Sequence, residues 1–131
     1  MICHVVLFRL RADLGRADRD ALVRAFEVAL RDIPTVRGCR VGRRITFGAG
    51  YEVNAPAAEY AAMIDFDDLG ALQGYLAHPA HHDLGARFGA SVDTALVYDY
   101  EMEEAALRSL PPDGKVRHNE YTIRVWDPIS G

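Results

Sequence analysis

The stretch Ile2-Cys-His-Val-Val-Leu-Phe-Arg-Leu10 decides the fold, because apolar residues occupy both faces of a strand-like segment. Successive side chains of a strand point to opposite faces of its sheet. One face takes Ile2, His4, Val6, Phe8 and Leu10, and the other takes Cys3, Val5, Leu7 and Arg9. We therefore expect this strand to be covered on both sides.

The spacing of apolar residues predicts helices downstream of this strand. The first covers residues 18–32 and is ended by a proline. A short helix over residues 69–77 stops at His78-Pro79, because the residue before a proline avoids the helical region. The proline then suits the first turn of another helix, which runs towards Ala90.

Three further strands are predicted from β-branched and aromatic residues, at 36–47, 60–66 and 92–100. Gly38 and Gly42 are expected to form bulges in the second strand. The glycine-rich segment 48–56 is a loop by composition. It lacks the spacing of a phosphate-binding loop between a strand and a helix, so we expect no nucleotide site there.

The order strand, helix, strand, strand, helix, strand is typical of an α+β, ferredoxin-like βαββαβ domain over residues 1–101. In such a domain the helices cover one face of an antiparallel sheet. The other face, with Cys3, Val5 and Leu7, is too apolar to remain in water. We therefore expect a homodimer through the sheet face, in the form of a dimeric α+β barrel.

The overall composition and charge exclude some classes of binding partner. The chain has 131 residues and a net charge of -4, which argues against nucleic acid, since phosphate binding needs a basic surface. Two cysteines do not make a disulfide framework, and both are interpreted as reduced thiols of a cytoplasmic protein. No apolar run is long enough to span a membrane, so no membrane partner is expected.

Residues 102–131 differ in character from the rest. Met102–Leu110 is predicted as a weak helix, residues 111–114 as a turn and Tyr121–Trp126 as a short strand. This C-terminal extension has no core of its own. We expect it to lie on the domain or on the partner subunit.

The segment Tyr75-Leu-Ala-His-Pro-Ala-His-His-Asp83 concentrates the residues that carry chemistry, because histidine exchanges protons near neutral pH. A metal site is the first alternative. However, a proline break separates His78 from His81, and the neighbours His81 and His82 diverge by about 100° on a helix. No remote ligand is evident, so no metal is expected.

With these residues placed, residues 1–101 resemble the stress-responsive dimeric α/β-barrel (Dabb) family. The resemblance rests on the Ile2–Phe8 strand, on Ile33-Pro34, on Gly42, on His78-Pro-Ala-His81 and on the closing Val97-Tyr-Asp-Tyr100 strand. Compared with the plant olivetolic acid cyclases of that family, the essential histidine falls on His81, the catalytic tyrosine on Tyr75 and a first-strand histidine on His4. Tyr60 stands where those enzymes have a further pocket histidine.

The resemblance implies acid–base chemistry at His81, Tyr75 and His4. His81 would remove a proton next to a carbonyl, Tyr75 would donate a hydrogen bond to the enolate oxygen, and His4 would orient the base or the substrate. This chemistry needs no cofactor. The residues expected to line the substrate pocket are Tyr60, Val6, Phe8, Phe26 and His78. The alternative for His78, which precedes Pro79, is a cap at the start of the following helix.

Three functions remain open from the sequence. The first is a cofactor-independent cyclase, isomerase or lyase acting on a small, polyketide-like carbonyl compound. The second is a non-catalytic dimeric stress-response or ligand-binding protein that uses the same cavity. The third is a cofactor-free monooxygenase of the antibiotic-biosynthesis type.

Overall fold

The computed structural model describes residues 1–107 and 121–122. Its main elements are β1 (Ile2–Leu10), α1 (Arg16–Asp32), β2 (Gly38–Arg43), β3 (Tyr60–Phe66), α2 (Leu69–Ala77), α3 (Pro79–Ser91) and β4 (Val92–Glu101). A 3-10 turn at Gly50–Glu52 lies between β2 and β3. The element order confirms the predicted α+β, ferredoxin-like fold.

Four strands form one sheet in the order β2-β3-β1-β4, with β1 in the interior. The antiparallel register between β1 and β3 sets His4 opposite Ile64, and Phe8 opposite Tyr60. The alternating face predicted for β1 therefore continues across β3. Because β1 has a neighbour on each side, its side chains meet residues from distant parts of the chain.

The core lies between the sheet and the helices. It contains Ile64 and Phe66 from β3, Leu22 and Ala29 from α1, Leu72 and Tyr75 from α2, Ile33 and Leu84. Phe66 is 0% exposed, and removing such a side chain typically costs about 3–5 kcal/mol of stability. The helices thus use one face of the sheet.

The opposite face of the sheet carries the other set of β1 residues. Val5 is set opposite Met63, and Leu7 opposite Ala61. All four side chains are half-buried in a single chain. Within the described residues, no helix covers this face as α1 and α2 cover the core side.

Strand β2 is shorter than predicted. It spans Gly38–Arg43 instead of residues 36–47, and its register against β3 is one-to-one. The expected bulges at Gly38 and Gly42 are therefore wrong. In the loop that follows β2, the Glu52 carboxylate accepts hydrogen bonds from the backbone N–H groups of Phe47, Gly48 and Ala49.

Met1–Tyr100 forms one compact unit, and a second unit begins at Glu101. In the second unit, Ala106–Leu107 forms a strand, β5, that pairs antiparallel with Tyr121–Thr122, β6. The helix predicted over residues 102–110 is wrong for residues 102–107. The strand predicted over residues 121–126 is confirmed at its first two residues. The turn at 111–114 and the ends of both segments lie outside the described residues.

Candidate active site

A cavity of about 910 Å³ lies between the sheet and the helices of the first unit. This volume is large enough for a drug-sized molecule. The side chains that line it include His4, Val6, Phe8, Leu22, Phe26, Leu30, Cys39, Val41, Tyr60, Ala62, Ile64, Tyr75, His81, Leu84 and Phe88. Most of them are apolar, and the polar groups are the histidines, the tyrosines, the Cys39 thiol and three exposed charged residues, Arg19, Glu27 and Arg43.

A sharp break between α2 and α3 positions the groups that carry chemistry. Asp68 begins α2, where its carboxylate accepts a hydrogen bond from the backbone N–H of Ala71. His78 is extended, as expected before Pro79, and its Nδ1 accepts a hydrogen bond from the backbone N–H of Ala80. His78 thereby caps α3.

The break brings Tyr75 and His81 together from the two sides. The Tyr75 ring lies 4.7 Å from the His81 ring, centroid to centroid, in an edge-to-face arrangement. The same tyrosine ring lies 5.9 Å from the His4 ring and 5.1 Å from the Phe66 ring. Tyr75 is 1% exposed, so its ring is fixed by packing in contact with His81 and close to His4.

His4 has a carboxylate partner that our sequence analysis missed. Its Nδ1 lies 2.5 Å from Oδ1 of Asp99 on the neighbouring strand β4. His4 is buried, whereas the Asp99 side chain is 45% exposed. A carboxylate at Nδ1 favours the tautomer that carries its proton there, which leaves the lone pair on Nε2. The pair thus fixes both the position and the tautomer of His4.

Burial changes the proton affinity of the other two groups. It lowers the pKa of His81 below its ordinary value of 6.5, and positive charge on His4 lowers this pKa further, while the Leu76 backbone acts in the opposite direction. His81 Nδ1 is buried without a hydrogen-bond partner among the described residues. Burial raises the pKa of Tyr75 to about 12, with Cys39 as a second cause. At neutral pH the site therefore holds a neutral imidazole beside a neutral phenol.

The structure brings most of the predicted site residues to one place. His4, Tyr75 and His81 line the cavity together with the four predicted pocket residues Val6, Phe8, Phe26 and Tyr60. His78, which was also predicted to line it, is not among the lining residues and instead caps α3. His82 and Asp83, which directly follow His81, are exposed.

The structure adds Cys39, Arg19, Glu27 and Arg43 to the predicted lining of the cavity, and Asp99 as the partner of His4. Asp99 could have been found from the strand order, since a ferredoxin-like sheet sets the last strand beside the first. In the parts of the chain that the structure describes, no three histidine, cysteine or acidic side chains are grouped as a metal site requires. The cavity is thus an apolar pocket with an acid–base group at one side.

The fold and cavity together define a ferredoxin-like α+β domain with a ligand-sized pocket beneath its helices. The model of the family described as Stress responsive A/B Barrel Domain (Dabb) matches residues 2–102. The chain belongs to this family. Among curated protein sequences, none matches it significantly.

Solved structures share this architecture. The protein At3g17210 of Arabidopsis thaliana superposes with a TM-score of 0.68 at 20% identity, over 82% of this chain and 100% of that one. The hydroxynitrile lyase of Passiflora edulis gives a TM-score of 0.68 at 16% identity, over 84% and 96%. A dimeric ferredoxin-like protein of unknown function from Jannaschia sp. gives 0.61 at 26% identity, over 77% and 98%. At such identities, the first two comparisons show the fold alone.

No helix in the described part of the chain combines the length and the apolar character needed to cross a bilayer.

Proposed function

We propose that the protein is a cofactor-independent lyase, cyclase or isomerase that acts on a small carbonyl compound by acid–base catalysis. The observation that carries this proposal is the convergence of His4, Tyr75 and His81 in one apolar cavity. Proton transfer next to a carbonyl requires a base and a hydrogen-bond donor to the enolate oxygen, and a second histidine can position either of them. A hydroxynitrile lyase from Passiflora edulis has the same fold, which favours a lyase among the three reaction classes.

The first step is removal of a proton from the carbon next to the carbonyl. His81 takes this proton, and the electron pair of the C–H bond moves through the C–C bond to the carbonyl oxygen, which becomes an enolate. The lowered pKa keeps His81 neutral near neutral pH and able to accept the proton. Apolar walls exclude water around the developing charge.

Tyr75 is assigned to the enolate oxygen. Because its pKa is raised, the phenol of Tyr75 stays protonated at neutral pH, and its hydroxyl donates a hydrogen bond to this oxygen. In a cyclisation, the enolate carbon then bonds to a second carbonyl carbon of the same substrate. The alkoxide formed there takes the proton back from His81, so that no redox cofactor enters the balance.

His4 holds the orientation of the site. With its Nδ1 directed to Asp99, the opposite nitrogen, Nε2, is the one left to interact with the substrate or with His81. We assign His4 and Asp99 to positioning and His81 and Tyr75 to the chemical step.

We also propose that the working form is a homodimer through the sheet face opposite the helices. Val5, Leu7, Ala61 and Met63 form a half-buried apolar surface there. The Jannaschia relative is described as dimeric, and so is one from Bacteroides fragilis at 25% identity. Pairing two such faces would remove this surface from water.

The proposal is tested with the full chain and a panel of β-keto thioesters, β-hydroxy ketones and unsaturated lactones, without added cofactor and with oxygen present or removed. We expect turnover of at least one class at equal rates in both atmospheres. Turnover that consumes oxygen would instead identify the monooxygenase. Ligand binding without turnover of any class would support the non-catalytic alternative.

A further inference from the structure

Two arginines line the cavity, Arg19 from α1 and Arg43 from the end of β2. Both are exposed, and within residues 1–107 and 121–122 neither forms a salt bridge. Other arginines do have such partners: Arg9, Arg11, Arg31 and Arg37 each pair with an aspartate. Unpaired guanidinium groups in a cavity wall offer planar donors that match a carboxylate.

The two arginines belong to the same end of the cavity. The sheet register aligns Arg43 with Tyr60, and Tyr60 with Phe8 near the end of β1. Helix α1 begins soon after β1 ends, so the first turns of α1, which contain Arg19, start from this end as well. The end of the cavity that is lined by the two arginines thus lies beside the last residues of β1.

The acid–base groups lie farther along the same strand. His4 and Phe8 are four residues apart on β1, which corresponds to about 13 Å at the usual strand rise. Apolar side chains cover the interval, among them Val6 and Phe26. The cavity is therefore polar at both ends and apolar between them.

One acidic residue, Glu27, also lines the cavity. It lies eight residues after Arg19 on α1, which corresponds to about 12 Å along the helix axis. It forms no salt bridge with either arginine among the described residues. Glu27 therefore leaves the guanidinium groups of both arginines without a carboxylate partner.

We infer that the cavity takes an elongated substrate with a carboxylate at one end, bound by Arg19 and Arg43, and its reacting carbonyl at the other end, beside His4, Tyr75 and His81. The carbonyl end of this assignment rests on the proposed function. The carboxylate end does not, because recognition of charge needs no turnover. Both arginines are on the helix side of the sheet, away from the face proposed for the dimer.

The test is a binding titration of the full chain with three matched probes: 9-oxodecanoate, its primary amide and the corresponding amine. Each has the same terminal methyl ketone on a chain of matched length, and they differ in the group at the other end, which is anionic, neutral or cationic. We expect the carboxylate to bind about threefold to tenfold more tightly than the amide, as a partly exposed charge pair allows. Added salt should reduce this difference.

Arg19→Gln and Arg43→Gln should each weaken carboxylate binding and leave amide binding unchanged. The control is Arg24→Gln, which removes the same charge from an exposed position of α1 that does not line the cavity. Equal affinity for carboxylate and amide, tighter binding of the amine, or no binding of the carboxylate would each overturn the inference. An equal loss in Arg24→Gln would also do so.

The carboxylate recognition by the arginines and the proposed proton transfer can be contradicted independently of each other. If His81→Ala loses the chemistry but keeps the preference for the carboxylate, both assignments stand. If the wild type binds the carboxylate preferentially but exchanges no proton next to the ketone, the charge recognition stands and the proposed function does not.

Discussion

Nδ1 of His4 lies 2.5 Å from Oδ1 of Asp99, although 95 residues separate them in sequence. This contact links the first strand to the last strand of the sheet, directly beside the cavity. A buried histidine without such a partner would be costly, because buried polar groups need hydrogen bonds. The contact therefore supports the fold locally and fixes the tautomer of a candidate active-site group.

Asp99→Asn should remove the preference of His4 for the tautomer that carries its proton on Nδ1. We expect nitrogen NMR to show the proton on Nδ1 in the wild type and a mixture of tautomers in the variant. Activity should fall about 10- to 100-fold, the value of one hydrogen bond to a charged group. The control is Asp93→Asn on the same strand, which loses an exposed contact with Arg9. Equal activity of the two variants would remove Asp99 from the account.

Tyr75→Phe should separate the chemistry from the packing. The phenyl ring keeps the contact with Phe66, so we expect stability to change by less than about 1.5 kcal/mol. The lost hydroxyl should reduce kcat by about 100-fold or more, as the loss of one oxyanion donor does. Denaturant unfolding and steady-state kinetics on the same samples measure the two effects. Wild-type kcat in the variant would contradict the assigned role.

The lowered pKa of His81 should make stability depend on pH. The unfolded chain takes up this proton near the ordinary pKa of 6.5, whereas the folded chain does so only at lower pH. The free energy of unfolding should therefore fall as the pH drops below 6.5, and this contribution levels off below the folded pKa. Urea unfolding on either side of 6.5 measures the fall.

His81→Gln should reduce this pH dependence, because the substituted side chain does not titrate. His82→Gln is the matched control, since that neighbouring histidine is exposed. The account fails on this point if both variants retain the wild-type dependence.

A charged side chain on the sheet face opposite the helices should dissociate the proposed dimer. Leu7→Lys and Met63→Lys place a cation on that face from two different strands. We expect each to sediment as a monomer with a wild-type circular dichroism spectrum. Leu69→Lys changes an exposed residue of α2 and should remain dimeric. A monomeric wild type, or dimeric Leu7 and Met63 variants, would contradict this interface.

Local patterns were sufficient to predict much of the fold. The alternation of β1 placed His4, Val6 and Phe8 on one face, and the proline at position 79 located the break that brings Tyr75 towards His81. The end of β2 could not be predicted, because residues 44–47 include two β-branched side chains and one aromatic side chain, which favour a strand. In the structure these residues instead lead into a loop, where the Glu52 carboxylate accepts hydrogen bonds from the backbone N–H groups of Phe47 and Ala49.

The candidate site was predictable only where its residues are close in sequence. Tyr75 and His81 are six residues apart, and one local break explains their contact. Asp99 and the arginines of the cavity come from other strands and helices, so their positions depend on the register and on how α1 crosses the sheet. The role of His78 also required the structure, because a cap and a pocket residue look alike before a proline.

The central claim is that His81 removes a proton next to a carbonyl bound in the cavity. Its most direct test is the exchange of α-protons of bound 9-oxodecanoate for deuterium in heavy water, followed by NMR for the wild type, His81→Ala and His82→Ala. We predict exchange above the buffer rate in the wild type and in His82→Ala, and its loss in His81→Ala with an unchanged Tm. Exchange that persists in His81→Ala, or none in a wild type that binds the ketone, would contradict the account.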